Sequence, residues 1–109
     1  MKTECFRISS NKIEEYCENL FDANIEQCEV TASLAGKNVP ELVKNLAIHD
    51  VTDLKNAINT YGDSVQRIDC HGFWGDEELN VSFCFDTRKI LYLSENGDGK
   101  VFLNTLANV

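Results

Sequence analysis

Residues 79–93 read LNVSFCFDTRKILYL, and this stretch decides the fold class. Every second residue from Leu79 to Phe85 is apolar, a period of two that predicts a half-buried strand. Residues 86–89 (DTRK) predict a compact turn, and residues 90–93 are almost wholly apolar, which predicts a central strand covered on both faces. A short turn joins antiparallel strands. The stretch therefore predicts an antiparallel hairpin at the centre of a sheet.

Further strands are expected on both sides of this hairpin. Residues 26–35 (EQCEVTASLA) alternate, with Cys28, Val30, Ala32 and Leu34 on one face. Residues 95–99 (ENGDG) tolerate positive φ and predict a second hairpin turn. It would lead into a last strand that forms a sheet edge. The expected additional strands are residues 1–8 (with Cys5 or Phe6 inward), 26–35, 65–70 and 101–106.

Three amphipathic helices are expected in the first 62 residues. Residues 11–22 place Ile13, Tyr16, Cys17, Leu20 and Phe21 on one face at the helical period. Asn11 is the expected cap of this helix. The second helix begins at Pro40, which suits a first turn, and places Leu42, Val43 and Leu46 on one face. The third is capped by Asp50 or Thr52 and ends at Gly62.

These elements predict one α+β domain over residues 1–109. A chain of this length is typical of a single domain that buries a core without disulfides. The helices lie mostly in the first half and the strands mostly in the second. We therefore expect three helices packed on one face of a mainly antiparallel sheet with a C-terminal β-meander.

The charge and the cysteine content limit which partners and which cellular compartment are expected. The formal net charge is −8, which repels nucleic acid and anionic lipid and favours a basic partner. The first residues contain no apolar core of a signal peptide, and no apolar run is long enough to cross a bilayer. Five cysteines at irregular spacing do not suit a secreted disulfide framework. We expect free thiols and a cytoplasmic protein.

No residue pattern in the chain predicts catalysis, a metal or a cofactor. His49 and His71 stand on different elements, and nothing places them together for acid–base chemistry. Cys70 and His71 are adjacent, whereas zinc ligands are spaced apart. The ENGDG segment lacks the ligand spacing of a calcium loop. The chain also lacks a nucleophile elbow, a phosphate loop and a dinucleotide fingerprint. We therefore expect a protein that is not an enzyme and holds no cofactor.

Residues 70–79 (CHGFWGDEEL) are the most distinctive stretch of the chain. They place Phe73 and the only tryptophan, Trp74, directly before the acids Asp76, Glu77 and Glu78. Three consecutive carboxylates cannot be core because burying unpaired charge is too costly. Aromatic residues beside charge on a short loop are typical of interface anchors. Trp74 has two alternative roles at this point, a core residue or an interface anchor.

Neighbouring acids extend this candidate surface. Asp63 precedes the expected strand at residues 65–70 and Asp69 lies near its end, and Asp50 and Asp53 lie on the preceding helix. Our hypothesis is that these groups cluster with the aromatic loop. The predicted partner-binding residues are Phe73, Trp74, Asp76, Glu77, Glu78, Asp69, Asp63 and Asp53.

In its overall character the chain resembles the bacterial immunity proteins. These are the antidotes carried beside toxins of contact-dependent growth inhibition and related polymorphic systems. The resemblance rests on small size, acidic charge, the lack of a catalytic signature and the acidic–aromatic stretch at residues 70–79. It implies a one-to-one complex with a cognate basic toxin domain, commonly a nuclease. The antidote would block the toxin's active site or a nearby surface.

Two other classes of function stay open. A small ligand-binding or regulatory module would have a pocket between the helices and the sheet, and a bound ligand would raise its stability. An enzyme would use His49 or His71 and would lose activity when both are replaced. The sequence also leaves the toxin's identity open. The oligomeric state is open as well, because the last predicted strand has no predicted neighbour on one side and is a candidate sheet edge.

Overall fold

The computed structural model of the protein describes residues 2–37, 39–95 and 97–109. Within these residues, three short 3₁₀ segments connect some of the main elements: Leu20–Asp22, Glu41–Val43 and Gly62–Ser64. The strands of the described chain are β1 (Lys2–Arg7), β2 (Glu26–Leu34), β3 (Asn45–Ile48), β4 (Val65–Trp74), β5 (Glu77–Cys84) and β6 (Lys89–Ser94). Its helices are α1 (Ser10–Asn19), α2 (Val51–Tyr61) and α3 (Gly99–Ala107).

The strands form one antiparallel sheet in the spatial order β1-β6-β5-β4-β2-β3. β4, β5 and β6 are consecutive in the chain and adjacent in the sheet, so the predicted meander is confirmed. Short turns explain this, because antiparallel neighbours need only a few linking residues. β1 closes the edge beside β6, and β3 closes the opposite edge beside β2. The predicted α+β class is confirmed.

The core lies between the three helices and one face of the sheet. Alternate residues of the central strands point into it, among them Ile68, Phe83 and Tyr92, which are fully buried. Leu54 of α2 and Phe102 of α3 meet them from the helices and are 0 % exposed. The opposite side of the sheet, here called the open face, contains polar residues that are half-buried or exposed in the described chain. This distribution is the one expected of an antiparallel sheet with one packed face.

The predictions for the first and third helical stretches are largely confirmed. Asp50 caps α2 by accepting a hydrogen bond from the Asp53 backbone N–H, and Gly62 ends the helix at a φ of +50°. α1 begins one residue earlier than expected, and its apolar stripe is buried or half-buried. The expectation that Asn11 caps α1 is wrong. Ser9 stands at the N-cap and makes no side-chain capping bond.

The predicted last strand at residues 101–106 is wrong, because this segment is helix α3. Phe102 and Leu106 are four residues apart and lie on one face, where both are 0 % exposed. Residues 97–99 therefore lead into a helix rather than a strand, and Asn96 of the predicted turn lies outside the described residues. Asp98 occupies the N-cap position of α3 instead. The edge position expected for the last strand is occupied by β1.

The predicted helix at residues 40–46 is also wrong. A 3₁₀ segment of three residues follows Pro40, and the chain then enters β3. Leu42 is 96 % exposed, so the apolar helical face that predicted this element does not exist. Leu46 and Ile48 point inward at a period of two, opposite Ala32 and Val30 of β2. Pairing with β2 overrides the short helical pattern.

Two finer expectations for the strands are wrong as well. β6 is not covered on both faces, since Leu91 and Leu93 are half-buried on the open face. Cys28 does not share the burial of Val30 and Leu34, because the register of β2 against β4 shifts between Glu26 and Glu29 and leaves it exposed. Cys5 is exposed and Phe6 packs against the core, which resolves the alternative left open for β1.

Candidate functional site

The stretch at residues 70–79 is a β-hairpin rather than a loop. Trp74 of β4 pairs with Glu77 of β5, and a two-residue turn joins them. Gly75, the first turn residue, has a φ of +64°, and a type II′ hairpin turn needs glycine at this position. Because successive strand residues point to opposite faces, the hairpin separates Phe73 from Trp74. Phe73 lies on the open face, and Trp74 points toward α3.

A concave surface lies where this hairpin meets the end of β6 and the start of α3. Its volume is about 750 Å³. None of the described residues that line it is a lysine or an arginine. This surface, here called the acidic cleft, is lined by Trp74 and by the carboxylates of Asp76, Glu77, Glu78, Glu95 and Asp98. Converging carboxylates beside an indole ring form an environment suited to an ammonium or guanidinium group.

Trp74 contributes to the core and to the acidic cleft at once. Its ring meets Phe102 edge to face, with centroids 5.1 Å apart and an interplanar angle of 78°. Phe102 in turn lies 5.4 Å from the Tyr92 ring. Trp74 is nevertheless only half-buried, and the remainder of its surface faces the cleft. The two alternative roles of this residue are therefore compatible.

The inner end of the cleft is a hydrogen-bonded group of carboxyls and hydroxyls. Desolvation raises the pKa of Asp98, but hydrogen bonds from Glu77, its own backbone N–H, Tyr92 and Ser94 outweigh this and hold that pKa below its usual value. Burial, together with the negative charge of Asp98, raises the pKa of the Tyr92 hydroxyl. Glu77 Oε2 and Asp98 Oδ1 are both shielded from solvent.

Glu77 and Asp98 therefore lie together at the inner end of the cleft, where both side chains are half-buried. Asp76, Glu78 and Glu95 are exposed, and they supply the charge at the mouth of the cleft. The Lys2 side chain lies against Gly97, the residue before Asp98.

Phe73 and Glu78 belong to the open face beside the cleft. Phe73 is 37 % exposed and lies opposite Glu78 in the β4–β5 register. The His71 ring is next to Phe73, with centroids 6.4 Å apart, and His71 Nε2 lies 2.8 Å from Glu78 Oε1. Glu78 therefore borders both the cleft and the open face, and the two surfaces are continuous through it.

The structure does not bring Asp69, Asp63 and Asp53 to the acidic cleft. Asp69 lies on the open face, where its carboxylate accepts hydrogen bonds from Arg67 Nε at 2.9 Å and Ser82 Oγ at 2.5 Å. Asp63 is exposed in the 3₁₀ segment before β4. It is ten or more residues before the hairpin turn along an extended strand. The predicted clustering of all these acids is wrong in its geometry.

Asp53 has a structural role at the start of α2. Its Oδ2 atom accepts hydrogen bonds from the His49 backbone N–H at 2.9 Å and pairs with His49 Nδ1 at 3.1 Å. These bonds hold the pKa of Asp53 below its usual value, the backbone bond contributing most. Its own N–H donates to Asp50 Oδ1. Asp50 and Asp53 thus satisfy backbone groups at a helix terminus.

Glu95 and Asp98 were missed as candidates by the sequence reasoning. They reach the cleft only because β6 runs beside β5 and α3 starts immediately after it. One local signal points to this arrangement. An aspartate before Gly99 and an apolar pair at positions 102 and 106 are typical of a helix N-terminus and its buried face.

The histidines are placed on separate elements, each with its own carboxylate partner. His49 pairs with Asp53, and His71 with Glu78. Among the described residues, no group of three or more histidine, cysteine or acidic side chains is arranged to hold a metal ion. The described part of the chain also contains no helix long and apolar enough to cross a membrane. Comparison with models of protein families, with curated proteins and with solved structures finds no significant match to this chain.

Proposed function

We propose that this protein is an immunity protein that binds and neutralises a cognate basic toxin domain of the nuclease type. The observation that carries the proposal is the acidic cleft, in which five carboxylates converge beside a half-buried tryptophan. A net charge of −8 adds a long-range field of the same sign. Together they offer a cationic surface both attraction at a distance and a defined place to bind.

The physical basis is electrostatic complementarity with a nucleic-acid-cleaving domain. Such domains hold a polyanion and therefore expose arginine and lysine side chains. An acidic partner that covers those side chains competes directly with the nucleic acid. Complementary charge raises the rate of encounter by about 10–1000-fold at low salt and rejects partners of the wrong sign.

Within the cleft we assign separate roles to the aromatic and the acidic residues. The Trp74 ring offers a flat face on which a guanidinium group stacks while being shielded from water. Asp76, Glu78 and Glu95 accept charge-assisted hydrogen bonds from it. Phe73 extends the contact onto the open face and excludes water at the rim, as residues around an interface hot spot do.

The remaining predicted acids contribute in a different way. Asp53, Asp63 and Asp69 lie outside the cleft, so we assign them to the negative field of the protein rather than to direct contact. The proposed complex has one copy of each partner and forms in the cytoplasm, where a toxin that cleaves nucleic acid acts. No cofactor takes part in the proposed function.

A co-expression survival assay tests this proposal. The C-terminal region of the protein encoded immediately upstream in the same operon is expressed with and without this chain, and surviving cells are counted. We expect killing by that region alone and full rescue by the native chain. Killing that the native chain does not relieve, or the absence of killing, would contradict the proposal.

Charge-reversal variants locate the effect in the same assay. Asp76→Lys combined with Glu78→Lys reverses two exposed charges of the cleft, and we expect it to abolish rescue. Glu15→Lys combined with Asp63→Lys makes the same change of net charge at two exposed positions outside the cleft. This control is expected to keep rescue. Equal loss in both variants would mean that net charge alone, and not the cleft, is responsible.

The volume of the cleft favours one second candidate, a small cationic ligand. About 750 Å³ lies within the range of about 300–1,000 Å³ that is usual for ligand pockets. A thermal-shift series with spermidine, arginine and lysine separates the two proposals. A ligand that binds only the native state raises its melting temperature in proportion to occupancy. A saturable rise that Asp76→Lys removes supports a small ligand, whereas no rise with any of the three compounds contradicts this second candidate.

A further inference from the structure

A β-bulge in β2 brings two cysteines together outside the acidic cleft. The register against β4 shifts between Glu26 and Glu29, and Gln27 adopts a φ of +51°. A non-glycine residue in this left-handed region is strained. The bulge lies directly on Gly72, where an added Cβ would be 2.8 Å from the Glu26 carbonyl oxygen. Bulges commonly redirect a side chain near a functional site.

The redirected side chain is that of Cys28. Its sulfur lies 3.6 Å from the sulfur of Cys70. Cys28 is exposed, whereas Cys70 is 2 % exposed beneath the bulge. An accessible thiol is therefore held in contact with a buried one, which is the arrangement of an attacking and a resolving cysteine.

The contact also makes the two thiols chemically unequal. A hydrogen bond from the Cys70 thiol lowers the pKa of Cys28 to about 7, although partial burial opposes the shift. The same bond raises the pKa of Cys70, and burial raises it further. At neutral pH the exposed sulfur is thus substantially thiolate, the form that reacts with oxidants. The buried sulfur keeps its proton.

We propose that Cys28 and Cys70 form a peroxide-reactive dithiol site that closes to an intramolecular disulfide. The Cys28 thiolate attacks one oxygen of a hydroperoxide and breaks the O–O bond. The product is a sulfenic acid on Cys28, and the leaving oxygen takes a proton from solvent to become water or an alcohol. The Cys70 sulfur then attacks the Cys28 sulfur and breaks the S–O bond. The hydroxyl leaves with the Cys70 proton as water.

The two steps transfer two electrons from the thiols to the peroxide. Closure requires the sulfur atoms to move from 3.6 Å to a bond of about 2.05 Å. The bulge is the part of β2 best able to move, since Gln27 and Cys28 have no partner in the register of β4. The bond would join the bulge to β4 two residues from Gly72. This inference is independent of the proposed function.

Oxidation of the native chain followed by peptide mapping tests the site. Reduced protein is treated with an equimolar amount of hydrogen peroxide, quenched with iodoacetamide and digested without reductant. Before alkylation we expect the intact chain to lose the mass of two hydrogens, and after digestion residues 28 and 70 should appear in one cross-linked peptide pair. Treatment with dithiothreitol should reverse both changes. Sulfinic acid on Cys28 with Cys70 still free, or a disulfide-linked dimer as the main product, would overturn the inference.

Two serine variants make the test specific. Cys28→Ser removes the exposed thiol, and we expect it to abolish the intramolecular link. Cys5→Ser removes the exposed thiol of β1 and should leave the link unchanged. Formation of an intramolecular disulfide in Cys28→Ser would place the reactive pair elsewhere and overturn the assignment.

A pH series of alkylation reports on the contact itself. The rate of iodoacetamide reaction at Cys28 should have its midpoint at about pH 7. Cys70→Ala removes the hydrogen-bond donor and should return the midpoint toward the ordinary value of 9.0. The lower thiolate fraction at pH 7, partly offset by higher intrinsic nucleophilicity, should slow the reaction about five- to eightfold. An unchanged midpoint in this variant, in protein with a native circular dichroism spectrum, would contradict the role of Cys70.

Discussion

Two groups of carboxylates in this protein have opposite relations to the fold. Asp50, Asp53 and Asp69 accept hydrogen bonds from the chain itself, at the start of α2 and across β4 and β5. Asp76 and Glu78 stand exposed at the end of the β4–β5 hairpin and face a cleft without a lysine or arginine among its described lining residues. The first group stabilises the native state. In the second group Asp76 adds repulsion at the mouth of the cleft, and Glu78 has one partner at the surface, the exposed ring of His71.

The difference teaches that acidity by itself does not identify a binding surface. All five of these residues looked alike as acids near an aromatic stretch. What separates them is whether a backbone N–H, a hydroxyl or a guanidinium group of the same chain is within reach, and Glu78 has only the exposed imidazole of His71. A carboxylate with such a partner contributes to folding. One without it remains available for another molecule. Predictions that change one group at a time test this separation.

Trp74 belongs to both the core and the acidic cleft, and its truncation should have the largest effect on stability. Trp74→Ala removes the edge contact with Phe102 and leaves space in the core. We expect a loss of about 3 kcal/mol in the free energy of unfolding, measured by urea denaturation. Trp74→Phe keeps an aromatic edge and should lose about half as much or less. A loss below about 0.5 kcal/mol for Trp74→Ala would mean that the ring is not part of the core.

Reversal of the cleft charges should weaken binding strongly and leave stability nearly unchanged. We expect Asp76→Lys combined with Glu78→Lys to cost at least about 2 kcal/mol of binding free energy toward the toxin domain. The free energy of unfolding should stay within about 1 kcal/mol of the native value, because both side chains are exposed and the Glu78–His71 pair that is lost lies at the surface. Urea denaturation of both proteins checks the second point. A marked loss of stability would show that these acids belong to the structural group.

Removal of a carboxylate from the first group should lower the stability and leave toxin binding nearly unchanged. Asp69→Ala breaks the hydrogen bonds from Arg67 and Ser82, and we expect it to cost about 1–2 kcal/mol of unfolding free energy. Toxin binding should change by less than threefold, because Asp69 does not line the cleft. Urea denaturation and a binding titration on the same preparation measure both quantities. Unchanged stability with weakened binding would reverse our assignment of this residue.

The pH dependence of Asp53 should be the smallest effect. Its folded-state pKa lies below the ordinary value of 3.8, chiefly because of the His49 backbone N–H. A lowered pKa contributes stability above the unfolded-state value, and the contribution is lost as pH falls through the folded-state value. The native chain should therefore be more stable than Asp53→Asn near neutral pH, and the gap should close below about pH 4. A gap that is constant from pH 7 to pH 3 in thermal melts would contradict this account.

Local sequence patterns correctly predicted the elements in which the apolar period agrees with the turn or capping residues at the ends. The β5–β6 hairpin has a clear period of two and a polar turn, and α2 has both an aspartate cap and a terminal glycine. Residues 101–106 were different, because the apolar residues of VFLNTL fit the strand period of two and the helical period of 3.6 about equally well. Packing of Phe102 against Trp74 and Tyr92, with Leu106 buried one turn later, favours the helix. That contact is set by the sheet and is not visible locally.

The candidate site divides in the same way. Trp74, Asp76, Glu77 and Glu78 are neighbours in the chain, so the sequence identified them together. Glu95 and Asp98 join them through the pairing of β5 with β6. The bulge at Gln27 that brings Cys28 to Cys70 likewise depends on long-range register. Contacts of this kind require the assembled sheet.

The most direct test of the account is a binding titration of the upstream-encoded toxin domain by isothermal calorimetry. The native chain, the cleft variant Asp76→Lys/Glu78→Lys and the control Glu15→Lys/Asp63→Lys are measured at the same ionic strength. We predict one-to-one binding by the native chain, a dissociation constant raised about 30-fold or more in the cleft variant, and a change below about fivefold in the control. Equal weakening in the two variants, or full affinity in the cleft variant, would contradict the claim that the acidic cleft binds the toxin.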